Sequence, residues 1–262
     1  MFDLKGCDFL VEDASSFSMV DMLALRTLSV FNTKKLTLVA TLAAVYALGS
    51  FLPGFPMIGV PGSKIDVVRA LEMGYGLVLG PIFGPLTAFL GAIVGKTLMG
   101  GGFGLFFTPL APVSAFMAAA IGRRDVFKVK GWAMAATILF VLIVGYYGTQ
   151  TGRAAPYYPV LHFMGLGIVM GFRGKLVDYL QSEDEGKLSL GVALCSFPST
   201  MTGHMLGNLI FISLLRPEPL FFMSILPVSV VERIVLTILS TVIATPLIII
   251  VRMLFPELVK KD

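Results

Sequence analysis

The sequence predicts an all-α, polytopic membrane helical bundle of about eight spans, and three observations carry that reading. Of the 262 residues, 56% are hydrophobic and 14% charged, whereas a soluble domain averages about 25% charged residues. Uncharged apolar runs of spanning length recur from residue 36 to residue 254. Periodic short barrel strands are absent, which leaves helices as the structure that satisfies its own backbone in lipid. The net charge of +4 needs no nucleic acid to explain it. No basic, aromatic-interleaved surface stretch exists, and the excess Lys and Arg suits cytoplasmic loops. Cys7 and Cys195 lie far apart, one in a polar segment and one in an apolar run, so neither a disulfide nor a metal site is expected.

Three regions follow from this pattern: a cytoplasmic N-terminal segment at 1–35, a transmembrane bundle at 36–254 and a cytoplasmic tail at 255–262. The first is acidic and lacks the basic start, apolar core and small-residue cleavage site of a signal peptide. Residues 14–31 within it can form an interfacial helix, with Phe17, Val20, Ala24, Leu28 and Phe31 on one side. The first span, 36–52, follows Lys34 and Lys35 and carries two small-residue pairs at i,i+4: Ala40 with Ala44, and Ala43 with Ala47. Such pairs let another helix approach closely, within the chain or from a partner.

Pro53, Pro56 and Pro61 with Gly54, Gly59 and Gly62 stop the helix and open an apolar loop. Met57, Ile58 and Val60 in it are poor residues to show to water, so the loop is expected to fold over the outer end of the bundle as a lid. A second helix runs to Gly80, where Pro81 begins a tight reversal into a third at 82–99. Asp66, Arg69, Glu72, Gly76 and Gly80 fall on one stripe of the second helix. The third carries Gly91 and Gly95, and its Lys96 returns to the level of Arg69 and Glu72. The fourth span, 105–121, follows a glycine run. The fifth, 132–148, and sixth, 157–172, meet at a cluster of tyrosines that marks an interfacial belt. A polar loop at 173–187 with a short surface helix leads to the seventh span, 188–213, and the eighth starts near Val228.

Charge tests this order. With a cytoplasmic N-terminus, the inner loops collect Lys34, Lys35, Arg123, Arg124, Lys128, Lys130, Arg173, Lys175, Lys187, Arg252, Lys260 and Lys261, while the outer loops hold Lys64, Arg153 and Arg216. The same order places Asp66, Arg69, Glu72, Lys96, His204, Asn208, Glu232 and Arg233 in the outer half of the membrane. Charges there are costly and point to partners or a substrate path.

No catalytic constellation is present: no HExxH, GxSxG or Walker loop, and the carboxylates stand beside basic residues. The chain therefore reads as a non-enzyme without cofactor or metal. Binding suits the residues better. Arg69 and Lys96 can engage an anionic or carbonyl group, Glu72 and Glu232 can accept donors, and His204 with Asn208 can read a ring's hydrogen-bond edge. Phe103, Phe106, Phe107, Tyr146 or Tyr158 can stack on it. The alternative is that Asp66-Arg69-Glu72 is an internal ion-pair stripe, that Glu232-Arg233 satisfies its neighbours, and that the aromatics are core or lipid contacts.

Four stretches carry a resemblance: the alanine-spaced first span, the Pro/Gly-rich apolar loop, the paired helices LVLGPIFGPLTAFLGAIVG and the final SVVERIVLTILSTVIATPLI. In these the chain resembles the substrate-binding S components of energy-coupling factor importers, a branch of the ABC transporters. The resemblance implies a six-helix core that captures a vitamin or similar micronutrient from outside; the chain departs from that pattern in length, with residues 131–173 reading as two extra helices. It further implies a membrane coupling subunit and two cytoplasmic ATPase subunits as partners, with Ala40, Ala43, Ala44 and Ala47 at the docking face. The implied binding residues are the lid, Phe107 in the outer fourth span, Asn208 and Glu232-Arg233. A stand-alone ion- or proton-coupled secondary transporter is the competing reading, although no clear inverted repeat supports it.

Overall fold

A computed structural model describes residues 33–56 and 64–255 of the chain. The interfacial helix expected at 14–31, the lid residues Met57, Ile58 and Val60, and all of the tail beyond Phe255 lie outside the described residues. The chain divides into two compact units, Met1–Leu38 and Val39–Asp262. Of the first, residues 33–38 are described, and they are helical; the account below concerns the second.

Nine α-helices are described: α1 (Thr33–Gly49), α2 (Ala70–Leu98), α3 (Leu110–Ile121), α4 (Gly131–Gly148), α5 (Gln150–Ala154), α6 (Val160–Phe172), α7 (Lys175–Leu180), α8 (Glu185–Leu215) and α9 (Pro219–Leu254). Two tiny antiparallel ladders accompany them, β1 (Phe55–Pro56) with β2 (Lys64–Ile65) and β3 (Asp125–Val126) with β4 (Val129–Lys130). Four described stretches are long and apolar enough to cross a membrane: Val67–Leu98, Gly102–Ile121, Gly131–Gly148 and Pro219–Leu254. Their outward faces expose Phe140, Val141, Val144, Ile238, Val242 and Ile250, an apolar belt that water does not tolerate and lipid does. The described residues form an all-α bundle with four stretches long and apolar enough to cross a membrane.

The reversal expected at Gly80 is present. Gly80 has φ 87° and ψ −172°, a conformation open to glycine, and Pro81 supplies the fixed φ that starts the second arm. The arms then lie against each other: a Cβ on Gly84 would stand 2.8 Å from the Gly76 Cα. In an unbroken helix those residues would be about 12 Å apart. Gly76 in turn meets the Ala115 carbonyl of α3, while Gly91 and Gly95 of the second arm meet Tyr46, Ala47 and Ser50 at the end of α1. Small residues thus set four helical passes side by side at backbone distance.

The remaining passes alternate. α4 leaves the Ala120 and Arg123 carbonyls through Gly131 and ends at Tyr146, beside Tyr158 and Phe222. α6 returns to Arg173, whose guanidinium lies 5.1 Å from the Trp132 ring near the start of α4. α8 and α9 are antiparallel throughout, joined by Phe211 on Phe221, Thr200 on Arg233 and Ser196 on Ser240. Gly80, the β3–β4 hairpin, α7 and the C-terminal end of α9 gather at one end of the bundle, tied by Arg124 to Asp178 and by Arg252 to the Leu180 and Ser182 carbonyls. Arg124, Lys128, Lys130, Arg173, Lys175 and Lys187 make this the basic end.

Some boundaries differ from expectation. The last helix begins at Pro219 rather than near Val228: Pro219 occupies the first turn, where a missing N–H costs nothing. Pro227 is carried inside the helix with its ring exposed. The fourth span opens as a 3-10 segment, Gly102–Phe107, before α3 proper.

Candidate functional site

At the end of the bundle opposite the basic one lies an open cavity. Its wall is built from three parts of the chain. The β1–β2 ladder and the turn into α2 supply Pro56, Lys64, Ile65, Asp66 and Arg69; the second arm of α2 and the start of α3 supply Lys96, Phe107 and Leu110. The facing surfaces of α8 and α9 complete it, from His204 to Phe211 and from Phe221 to Arg233. Residues 131–173 contribute nothing to the wall.

Arg69, Lys96, Phe107, His204, Asn208, Glu232 and Arg233 all line this one cavity. Glu72 does not. It sits 1% exposed behind Arg69, accepting from the Arg69 Nε at 3.1 Å and from the Tyr46 hydroxyl at 2.9 Å. The Arg69 guanidinium also reaches the Ser114 hydroxyl at 3.5 Å, so Glu72 and α1 hold Arg69 at the cavity floor. The ion-pair stripe therefore backs one wall of the cavity: Glu72 pairs with Arg69 from behind, and Arg69 lines the opening.

On the opposite wall, Arg233 is wholly buried, pairs with Glu232 and donates to the Thr200 hydroxyl at 3.1 Å, leaving its Nε without a partner among the described residues. The Tyr158 hydroxyl lies 3.3 Å from His204 Nε2 and 3.4 Å from Asn208 Oδ1. It therefore orients both from behind rather than stacking on a ligand. Asn208 Nδ2 and His204 Nδ1 keep no partner among the described residues. Tyr146 packs deeper still, donating to the Ala155 carbonyl at 3.1 Å. Phe103 and Phe106 touch each other, and only Phe107 of that trio reaches the cavity. Outside the spans, burial lifts the Asp66 carboxyl above the usual carboxylate range, outweighing the attraction of Lys96, Lys64 and Arg69.

Sequence reasoning missed Phe211, Phe221 and Phe222, which line the cavity, and Tyr46, which locks Glu72. A signal existed for Tyr46, the one ring hydroxyl inside the first span. None existed for the phenylalanines, which look like any lipid-facing residue. Among the described residues no group of three His, Cys, Asp or Glu is placed to hold a metal.

The expected docking alanines separate. Ala47 is buried against Gly95, and the Ala43 backbone faces Gly91, whereas Ala40 and Ala44 are exposed on the outer side of α1.

No family profile matches the chain, and no solved structure matches it. The uncharacterized protein MJ0923 of Methanocaldococcus jannaschii is 31% identical over 214 residues, which cover 79% of this chain and 69% of that protein.

Proposed function

The chain belongs to the family of the archaeal protein MJ0923, and we propose that it is a substrate-capture subunit, an S component of an energy-coupling factor importer. In this reading it takes a vitamin-like micronutrient from outside and hands it to a membrane coupling subunit driven by two cytoplasmic ATPases. The observation that carries the proposal is the composition of the cavity wall. Every lining residue falls within 56–110 or 204–233, and none comes from α4 or α6. That supports a six-pass core of α1, the two arms of α2, α3, α8 and α9, with α4 and α6 as the added pair. The crowding of Lys and Arg at the far end supports a cytoplasmic basic end and a cavity open to the outside. Ala40 and Ala44, left open on α1, are the positions for the coupling subunit.

Reconstitution tests this. The isolated chain should retain a small molecule through purification yet accumulate none in vesicles until coupling and ATPase subunits are added. Concentrative uptake by the chain alone would sink the proposal, and ion-gradient dependence of that uptake would establish a secondary transporter instead.

A further inference from the structure

The charges around the cavity almost cancel. Lys64 pairs with Asp66 at 3.7 Å, Arg69 with Glu72 at 3.1 Å, and Arg233 with Glu232. Lys96 is a fourth cation against three carboxylates: its ammonium donates to the Gly104 carbonyl at 3.0 Å, shares the pull of Asp66 with Lys64, and stands within ion-pair distance of no carboxylate among the described residues. A carbonyl satisfies one N–H but cannot neutralise a charge, and a cation on a partly desolvated wall is stabilised by an anion beside it. On the facing wall Asn208, only 7% exposed, keeps both amide hydrogens without a partner.

Polarity is graded along α9. Its lining residues pass from Phe221 and Phe222 through Ile225 and Val228 to Glu232 and Arg233, a rise of about 18 Å along the helix. Phe211 of α8 stacks on Phe221 with ring centroids 5.4 Å apart and planes 12° from parallel. One end of the cavity therefore offers flat apolar faces, with the idle Asn208 amide one turn from Phe211, and the charged groups gather toward the other end.

We propose that the cavity binds a small organic monoanion, its carboxylate or equivalent group set against Lys96 and its flat apolar ring against Phe211, Phe221 and Phe222, beside the idle Asn208 amide. A cation would leave two uncompensated positive charges, and a dianion would leave a surplus negative one. The assignment rests on the cavity being the capture site.

Matched acid–amide pairs test it: benzoate with benzamide, nicotinate with nicotinamide, and indole-3-acetate with indole-3-acetamide, each followed by thermal shift of the full chain in detergent. At least one acid should stabilise the chain where its amide does not. Lys96→Gln should weaken that acid by about tenfold or more, and Lys96→Arg should retain it. Amides binding as tightly as acids, acid binding unchanged in Lys96→Gln, or no stabilisation by any acid overturns the proposal. Mass spectrometry of small molecules extracted from the purified chain separates the two readings. A neutral or cationic compound enriched there overturns the monoanion while leaving capture intact, and a chain that binds nothing in either experiment overturns both.

Discussion

Arg69 reaches its position only because Glu72 and Tyr46 hold it there. Removing the carboxylate leaves a guanidinium buried without its counter-charge, so Glu72→Ala should destabilise the chain by about 3 kcal/mol, read from thermal unfolding in detergent. Tyr46→Phe deletes one hydrogen bond and should cost about 1 kcal/mol. Equal losses in the two variants would mean that the ion pair contributes nothing beyond the Tyr46 hydrogen bond. Asp66 responds to pH. Its carboxyl is raised in the folded chain, so the folded state holds that proton more tightly than the unfolded one. The group's stabilising contribution is full below its unfolded pKa and is lost as pH rises through the folded pKa. Asp66→Asn should flatten that decline in melting temperature between acidic and neutral pH; an unchanged slope refutes the assignment. At this scale the spacing of Asp66, Arg69 and Glu72 was readable, because charge in an apolar helix is conspicuous. Tyr158 was misread as an interfacial aromatic, since nothing local reveals that it lies under His204 and Asn208 from another helix.

Glycines decide how closely the elements approach. A Cβ on Gly76 would stand 2.0 Å from the Ala115 carbonyl oxygen, whereas one on Gly167 meets nothing within 4 Å. Gly76→Ala should therefore cost about 1–3 kcal/mol through overpacking, and Gly167→Ala should be neutral or slightly stabilising, since alanine favours the helix. Similar melting temperatures for the two variants would contradict the close packing of α2 on α3. These contacts were legible as small-residue spacing and as the Gly80-Pro81 reversal, but the partner of each glycine was not. Gly91 and Gly95 were readable as a packing face, and only the fold shows that α1 occupies it with Ala43 and Ala47. The start of α9 was illegible for a different reason: Pro217, Pro219 and Pro227 look like a broken segment, yet Pro217 precedes the helix, Pro219 lies in its first turn where the missing N–H costs nothing, and Pro227 is carried inside it.

For the molecule as a whole, a consequence of the alanine pattern on α1 can be measured in transport. Ala40→Leu combined with Ala44→Leu alters the exposed side alone, so, under the capture-subunit proposal, uptake with the coupling and ATPase subunits present should be lost while ligand affinity stays unchanged. Ala47→Leu, pressed against Gly95, should instead lower stability. Normal uptake in the double variant would remove α1 as a docking surface. The length of α9 reaches further. At 36 residues it rises about 54 Å, well beyond a hydrocarbon core of about 30 Å, and it is one of the stretches apolar enough to cross a membrane. An excess of that size is met by tilting, by kinking or by letting a helix end stand into the headgroups. The end in question carries Phe221 and Phe222, so the lipid thickness around the bundle bears on whether the aromatic rim of the cavity stands in water or among headgroups. Bilayer composition then becomes a control on how readily a solute finds the opening.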